Sequence, residues 1–193
     1  MDKNIVGLVS IFVSVAITLP YLWHMKQGSV RPHIFTWIIW ALSSGTAAAA
    51  QLSSDAGPGA WAQAAGAASC VSIVVLSFSK GEHDITRTDI LAFILALTAI
   101  PLWLVTAVPL YAVLIVTFID LSAYYPTFRK AYRYPHHEAV YNYAISNLGK
   151  MLSLYAITDY SLTTVLFPAA LFVANGALVA FLLWRRTCLP LRT

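Results

Sequence analysis

The sequence predicts an all-α membrane protein in which seven transmembrane helices form two parallel three-helix bundles, joined by an inverting linker helix (3+1+3). Three observations predict this fold: the composition, a series of apolar segments, and an internal repeat. The chain of 193 residues is 59% hydrophobic and 10% charged, whereas soluble domains are about 45–50% apolar and about 25% charged. A soluble protein could not bury this much apolar surface, so we expect the chain to lie in a lipid bilayer.

Seven apolar segments have the length needed to cross a bilayer, which is about 20 residues for a helix. They cover residues 4–24, 33–52, 58–78, 88–106, 108–127, 138–157 and 160–184. The fourth and fifth are almost continuous, but Pro101 and Pro109 favour a tight turn near residues 106–109. Proline disfavours a helical residue before it and removes a backbone donor. Without that turn, the alternative is six helices, one of them very long.

The basic residues orient the predicted helices. If the N-terminus lies outside, the cytoplasmic side collects ten basic residues, and Lys3 alone remains outside. The ten are Lys26, Arg31, Lys80, Arg87, Arg129, Lys130, Arg133, Arg185, Arg186 and Arg192. Cytoplasmic loops of membrane proteins carry such an excess of Lys and Arg. We therefore expect a multi-pass protein with a cytoplasmic C-terminus, and the short loops favour a bacterial inner membrane. Because the basic residues form short loop clusters, no nucleic-acid partner is expected.

The last three apolar segments repeat the first three. Pro20 and the basic loop after it recur as Pro126 and a second basic loop. "PGAWAQAAGA" (58–67) and "PAALFVANGA" (168–177) share Pro, Ala and Gly at identical spacing, 110 residues apart (168 against 58). Ordered matches of this kind indicate an internal repeat. A three-helix unit repeated after one intervening helix gives two parallel units, because the intervening helix reverses the direction of the chain.

The repeat divides the chain into three parts. We expect a first three-helix bundle at residues 1–84, a linker helix at 85–107, and a second three-helix bundle with a short cytoplasmic tail at 108–193.

The two copies of the proline turn read "LPYLWHMKQGSVRPHIFTWIIWALSSG" and "YPTFRKAYRYPHHEAVYNYAISNLG". They resemble the motif of the PQ-loop/SWEET-like transporter superfamily, and the likeness spans essentially the whole chain. Tyr21 and Thr127 replace the glutamine that follows each motif proline, and Trp40 and Tyr143 lie where sugar carriers have mid-helix prolines. The resemblance implies the 3+1+3 fold and alternating-access transport of a small polar metabolite (sugar, amino acid or vitamin-like). The departures weaken the implication of a sugar.

Asp120 and Lys150 lie within apolar segments. A charge at the bilayer centre costs about 2.5–3.5 kcal/mol on insertion scales, so such residues face the bundle interior and find partners. We expect a direct or water-bridged pair between them. Three interpretations remain open: a static ion pair that fixes two helices, a lysine that extends outward to the membrane surface, or a substrate- or proton-linked site.

Helical spacing adds neighbours to this pair. Tyr143, Asn147 and Lys150 are spaced i, i+4 and i+7, so they share one face of the sixth predicted helix. Asn175 lies in the middle of the seventh, where a buried amide serves either as interhelical glue or as a ligand group. The resemblance favours a ligand role for Asn175 and Trp40. The predicted substrate-binding residues are Trp37, Trp40, Ser44, Asp120, Tyr143, Asn147, Lys150 and Asn175.

No pattern in the chain predicts an enzyme. No nucleophile–base motif, Walker loop or glycine-rich dinucleotide turn is present, so no catalytic residue and no cofactor are expected. His136 and His137 beside Glu138 lack further ligands at matching spacing, so no metal site is predicted.

The sequence therefore predicts a small transporter, with Pro20 and Pro126 as hinges near a cytoplasmic gate and with proton coupling through Asp120 as a hypothesis. Its partners would be a small-molecule substrate and the bilayer, and a homo-oligomer is compatible with the sequence. The alternative is a membrane receptor or assembly factor of the same fold that binds a ligand, lipid or peptide without transport. The basic segment 123–140 favours this alternative, because it could dock anionic head groups or acidic partners.

Overall fold

The computed structural model describes residues 2–28, 32, 34–81, 87–122, 124–133, 135–137 and 140–189. Within these residues the chain is all-helical, with eight α-helices and no β-strand. The helices are α1 (Lys3–Lys26), α2 (Ile34–Leu52), α3 (Trp61–Lys80), α4 (Arg87–Thr106), α5 (Pro109–Ser122), α6 (Tyr124–Arg133), α7 (Val140–Ala156) and α8 (Leu162–Cys188). Two 3₁₀ turns lie at Gly57–Ala60 and Pro135–His137.

Three helical segments among the described residues are long and apolar enough to cross a membrane. They are Lys3–Lys26, Gly57–Lys80 and Leu162–Cys188, and shorter apolar helices lie at Phe93–Thr106 and Pro109–Ser122. Large apolar side chains lie on the molecular surface, since Phe12 is 72% exposed and Val105 85% exposed. Exposed apolar surface on this scale is unfavourable in water, and it is compatible with a membrane location.

The predicted turn between the fourth and fifth segments is confirmed. Helix α4 ends at Thr106 and α5 begins at Pro109, and Ala107 between them has a positive φ of 53°. Proline suits the first residue of a helix, where its missing N–H has no intrahelical partner in any case. The alternative with a single long helix is therefore wrong.

The basic segment 123–140 contains a helix, α6, and is not only a turn. Arg185 near the end of α8 donates to the Tyr132 carbonyl from Nε (3.1 Å) and Nη2 (2.9 Å), and its guanidinium lies 4.2 Å from the centre of the Tyr132 ring. Arg186 Nε donates to the Pro135 carbonyl at 3.1 Å. These arginines therefore hold α8 against the basic segment, in addition to any role in orientation. Outside the described residues lie Arg31, Glu138, Arg192 and the side chains of Pro126, Arg129, Lys130 and His137.

Helix packing is symmetric between α1, α2 and α3, which we call the first half, and α5, α7 and α8, which we call the second half. In the first half α1 and α2 both pack on α3, and in the second half α5 and α7 both pack on α8. Between the halves, α1 packs on α7 and α2 packs on α5, while α4 packs on α2 and α5. If α1 is taken as equivalent to α5, α2 to α7 and α3 to α8, each contact has an equivalent contact in the other half. The contact of α1 with α3, for example, is equivalent to that of α5 with α8. Only the contacts of α4 have no equivalent among these pairs. Two of the three equivalent pairs start 106 positions apart (109 against 3, and 140 against 34), whereas α3 and α8 start 101 positions apart (162 against 61).

The core and the loops join the halves. The main apolar cluster brings together α2, α4, α5 and α8 through small and branched side chains: Ala47, Ala50, Ala99, Ala112, Val113, Val116, Phe167 and Leu171. The loop after α2 (55–59) also contacts the end of α7 and the loop after it (153–159), and we call this contact the interloop clamp. Its hydrogen bonds run from Thr158 N–H to the Ala56 carbonyl (2.9 Å), from Asp159 N–H to the Asp55 carbonyl (3.2 Å) and from Ser153 Oγ to the Gly59 carbonyl (2.6 Å). The clamp ties the two halves together at one end of the bundle.

Candidate functional site

Polar side chains from both halves interact inside the apolar bundle. We call this group the polar cluster: Ser43 on α2, Gln63 and Cys70 on α3, Asp120 on α5, Lys150 on α7, and Asn147 one helical turn before Lys150. Ser43, Gln63 and Asp120 are buried and the others are half-buried. Because both halves contribute, any relative movement of the halves changes the geometry of this cluster.

Lys150 points into the bundle. Its Nζ donates to Gln63 Oε1 at 3.1 Å and lies 5.9 Å from the centre of the Phe167 ring. The interpretation of a lysine that extends outward is therefore wrong. Gln63 is only 3% exposed, so this hydrogen bond links α3 of the first half to α7 of the second within the protein interior.

The direct ion pair between Asp120 and Lys150 is not formed in the described structure. Gln63 supplies the hydrogen-bond acceptor of the Lys150 ammonium group instead, and no ion pair holds the Asp120 carboxylate. The two charges and the Cys70 thiol remain within electrostatic reach of one another. The polar cluster thus holds one positive and one negative charge that are close but not in contact.

Buried oxygen atoms of the polar cluster lack hydrogen-bond partners. Asp120 is 8% exposed and its Oδ1 is unpaired, as are Ser43 Oγ and Asn147 Oδ1. Ser43 lies beside Asp120, but outside hydrogen-bond geometry. A buried polar group without a partner costs about 1–3 kcal/mol. Three such atoms next to a lysine indicate a site built to accept further donors.

The predicted face of α7 is directed toward α8. Tyr143 packs against the apolar cluster between α6 and α8, and Asn147 Nδ2 lies 3.5 Å from the position that a Cβ on Gly176 would occupy. Lys150 lies over Phe167. The i, i+4, i+7 spacing therefore placed these three side chains correctly on one face.

Asn175 has hydrogen-bond partners at both ends of its amide. Tyr124 donates its hydroxyl to Asn175 Oδ1 at 2.7 Å, and Asn175 Nδ2 donates to Ser146 Oγ at 3.4 Å. These bonds join α6, α7 and α8. The structure therefore favours interhelical glue over ligand binding for this residue.

Trp37 and Trp40 belong to an aromatic group beside the polar cluster. The Tyr21 and Trp37 rings lie 5.2 Å apart, and Trp37 meets Trp40 edge-on at 5.0 Å. Trp40 precedes Ser43 by one helical turn, so the rings form a layer toward the start of α2. Ser44, the predicted serine, is half-buried, whereas its neighbour Ser43 is fully buried beside Asp120.

The two predicted hinge residues occupy different positions in their helices. Pro20 lies in the interior of α1 with an exposed side chain, whereas Pro126 lies in the first turn of α6. An interior proline removes a backbone hydrogen bond, whereas one in the first turn does not. Of these two prolines, therefore, only Pro20 removes a backbone hydrogen bond from the helix that contains it.

A surface groove lies elsewhere, between α1 and α3. It encloses about 490 Å³ and is lined by residues that include Leu19, Trp23, Lys26 and Val75. None of the predicted site residues lines it, and its walls are mainly apolar. We therefore place the candidate site at the polar cluster, not at this groove.

Three members of the polar cluster were missed from the sequence, namely Gln63, Ser43 and Cys70, and so was Tyr124, the hydrogen-bond partner of Asn175. Gln63 gave a usable signal, because it is a strongly polar residue within the apolar segment 58–78, and polar residues inside membrane spans mark candidate sites. Ser43 and Tyr124 gave none, because their roles depend on which helix faces them.

No protein-family model, curated protein or solved structure matches this chain. Among the described residues, no group of three or more His, Cys, Asp or Glu side chains could hold a metal ion. The polar cluster presents one ammonium group, one carboxylate and unpaired oxygens, which are groups that bind polar ligands.

Proposed function

We propose that this protein is a small membrane transporter that moves a polar metabolite by alternating access between its two halves. The observation that carries this proposal is the polar cluster, in which Asp120 Oδ1 lies buried and unpaired at the boundary of the halves. Charged residues inside membrane spans face cavities or substrate pathways. Transporters with internal repeats place their substrate sites between the repeats, near the middle of the membrane.

The proposed topology is the 3+1+3 arrangement of seven spans. Helices α1, α2 and α3 form the first bundle, α4 is the linker, and α5 with α6, α7 and α8 form the second. The interchangeable helix pairs support it, as does the shared 106-residue spacing of the starts of α1 and α5 and of α2 and α7. The positive charges support an outside N-terminus and a cytoplasmic C-terminus, and the short loops motivate the proposal of a bacterial inner membrane.

Thiol labelling tests this orientation. Cys188 is exposed at the end of α8, and the half-buried Cys70 can be removed by Cys70→Ser. In that background, a membrane-impermeant maleimide should label Cys188 only in inverted vesicles. A second protein with Asp2→Cys and Cys188→Ser should be labelled only in intact cells. The reverse pattern would contradict the orientation.

Flux into proteoliposomes tests transport itself. The purified chain should move at least one polar metabolite into the lumen, and Asp120→Asn should reduce that flux about tenfold or more. A hydrogen bond to a charged group contributes about 1.5–3 kcal/mol, which corresponds to about 10–100-fold. Asp159→Asn is the matched control, because its side chain is exposed outside the polar cluster. Specific binding without flux would instead support the receptor alternative.

Proton coupling is a separable part of the proposal. If Asp120 carries the proton, flux should depend on pH and an imposed proton gradient should drive accumulation. Asp120→Asn should then flatten the pH profile of the residual flux. If flux and its pH dependence are unchanged in this variant, Asp120 has no such role.

A further inference from the structure

We infer that the polar cluster binds a zwitterionic ligand, an amino carboxylate whose ammonium group contacts Asp120 and whose carboxylate contacts Lys150. This inference rests on the proposed function, since it names the substrate class of the same site. The observation behind it is the separation of the two charges, with Lys150 bonded to Gln63 and Asp120 Oδ1 unpaired.

The charges exclude simpler ligands. A cation alone would pair with Asp120 but would be repelled by Lys150. An anion alone would pair with Lys150 but would be repelled by Asp120. Such repulsions are large because opposite and like charges interact more strongly in a protein interior than in water. An uncharged ligand would leave Asp120 without an ionic partner and would add no counter-charge to Lys150, which already donates to Gln63. A ligand with both charges satisfies each of them and brings no net charge into the membrane.

The hydrogen-bond donors and acceptors of the polar cluster also suit an amino carboxylate. An ammonium group has three donors, and within the polar cluster Asp120 Oδ1, Asn147 Oδ1 and Ser43 Oγ are oxygens without a partner. Lys150 also has three donors, of which one is used by Gln63. The remaining donors suit the two oxygens of a carboxylate. Donors and acceptors therefore match an amino carboxylate group by group.

A ligand series on the unmodified full-length chain tests the inference. Unbranched amino carboxylates of two to six carbons, with the amine and carboxyl at opposite ends, are titrated into protein in lipid nanodiscs by calorimetry. The alkylamine and the carboxylate of each length, and an uncharged polyol, are the matched probes. We expect at least one amino carboxylate to bind tenfold or more tightly than its singly charged relatives. Equal or tighter binding of the singly charged or uncharged probes would overturn the inference.

Two variants assign the ends of the ligand. Asp120→Asn should weaken binding of the preferred amino carboxylate tenfold or more while sparing the matched carboxylate, and Lys150→Gln should spare the matched amine. Asp159→Asn and Lys80→Gln remove exposed charges outside the polar cluster and should change nothing. Should either cluster variant fail to fold, the series on the unmodified chain still decides.

The test of ligand binding and the test of flux can fail independently of each other. Tight binding of an amino carboxylate without flux would refute the proposed transport but keep this inference. Flux of an uncharged solute that is insensitive to Asp120→Asn and Lys150→Gln would keep transport and refute this inference.

Discussion

Gly59 lies where the two halves leave no room for a side chain. A Cβ on this residue would lie 2.7 Å from Ile157 Cα and 2.8 Å from Ile157 N. Both are backbone atoms of the interloop clamp, so they cannot move aside as a flexible side chain can. Gly45 in α2 is different, because a Cβ there would meet nothing within 4 Å.

Gly59→Ala should therefore destabilise the protein by about 1–3 kcal/mol, the usual range for overpacking. Gly45→Ala is the matched control and should stabilise it by about 0.4–1 kcal/mol, because alanine restricts the unfolded chain. Thermal unfolding of both variants in detergent micelles measures the difference. Similar effects of the two substitutions would contradict the close approach at Gly59.

The hydrogen bond between Lys150 and Gln63 can be measured with a double-mutant cycle. Gln63→Leu should cost about 1–3 kcal/mol, since it leaves the buried ammonium group without this acceptor. Combined with Lys150→Met, it should cost less than the sum of the single changes. Gln27→Leu at the exposed end of α1 is the control and should be nearly neutral. Additive costs would show that the two residues are not coupled.

At the residue scale, charge could be predicted from the sequence but contacts could not. Asp120 and Lys150 were identifiable because each interrupts an apolar segment. The partner of Lys150 was not identifiable, because Gln63 lies 87 positions away and meets it only through the packing of α3 on α7.

At the element scale, the apolar segments predicted the helices to within a few residues: α1 covers Lys3–Lys26 against the predicted 4–24, and α7 covers Val140–Ala156 against 138–157. Apolar length is a strong signal because a helix satisfies its own backbone groups within a bilayer. The helix α6 was missed, because its first residues were assigned to the predicted span 108–127 and its polar remainder, between Pro126 and Pro135, resembled a loop.

Pro20 gives α1 a point at which the helix can bend, as Pro101 does in α4 and Pro168 in α8. Pro20→Ala restores a backbone hydrogen bond in the helix interior, so it should lower flux at least severalfold while leaving ligand affinity unchanged. Pro101→Ala in α4 is the matched control, because this proline is also inside a helix and exposed but lies in the proposed linker. Flux in proteoliposomes and binding in nanodiscs provide the two readouts. Equal flux from both variants would exclude the hinge role.

At the scale of the whole molecule, the interloop clamp holds the halves together at one end. A Cβ on Gly57 would lie 3.1 Å from Thr158 Cβ, a few tenths of an ångström below the range of about 3.5–4.5 Å that disulfides use.

A disulfide can lock this end. Gly57→Cys with Thr158→Cys, in a background without Cys70 and Cys188, should form a crosslink that abolishes flux, and a reducing agent should restore it. Either cysteine alone is the control and should be insensitive to oxidation. Flux that persists in the fully crosslinked protein would show that this end need not open.

The equivalence of helix pairs in the two halves has a consequence for the direction in which a ligand can bind. If the halves were identical, the central site would be the same viewed from either half, and a ligand with unlike ends would bind in two equivalent directions. Asp120 and Lys150 align near Ser14 and Thr46 of the first half, so within the polar cluster only the second half contributes charged side chains. For the proposed amino carboxylate, this asymmetry allows one direction of binding, with the ammonium group at Asp120 and the carboxylate at Lys150.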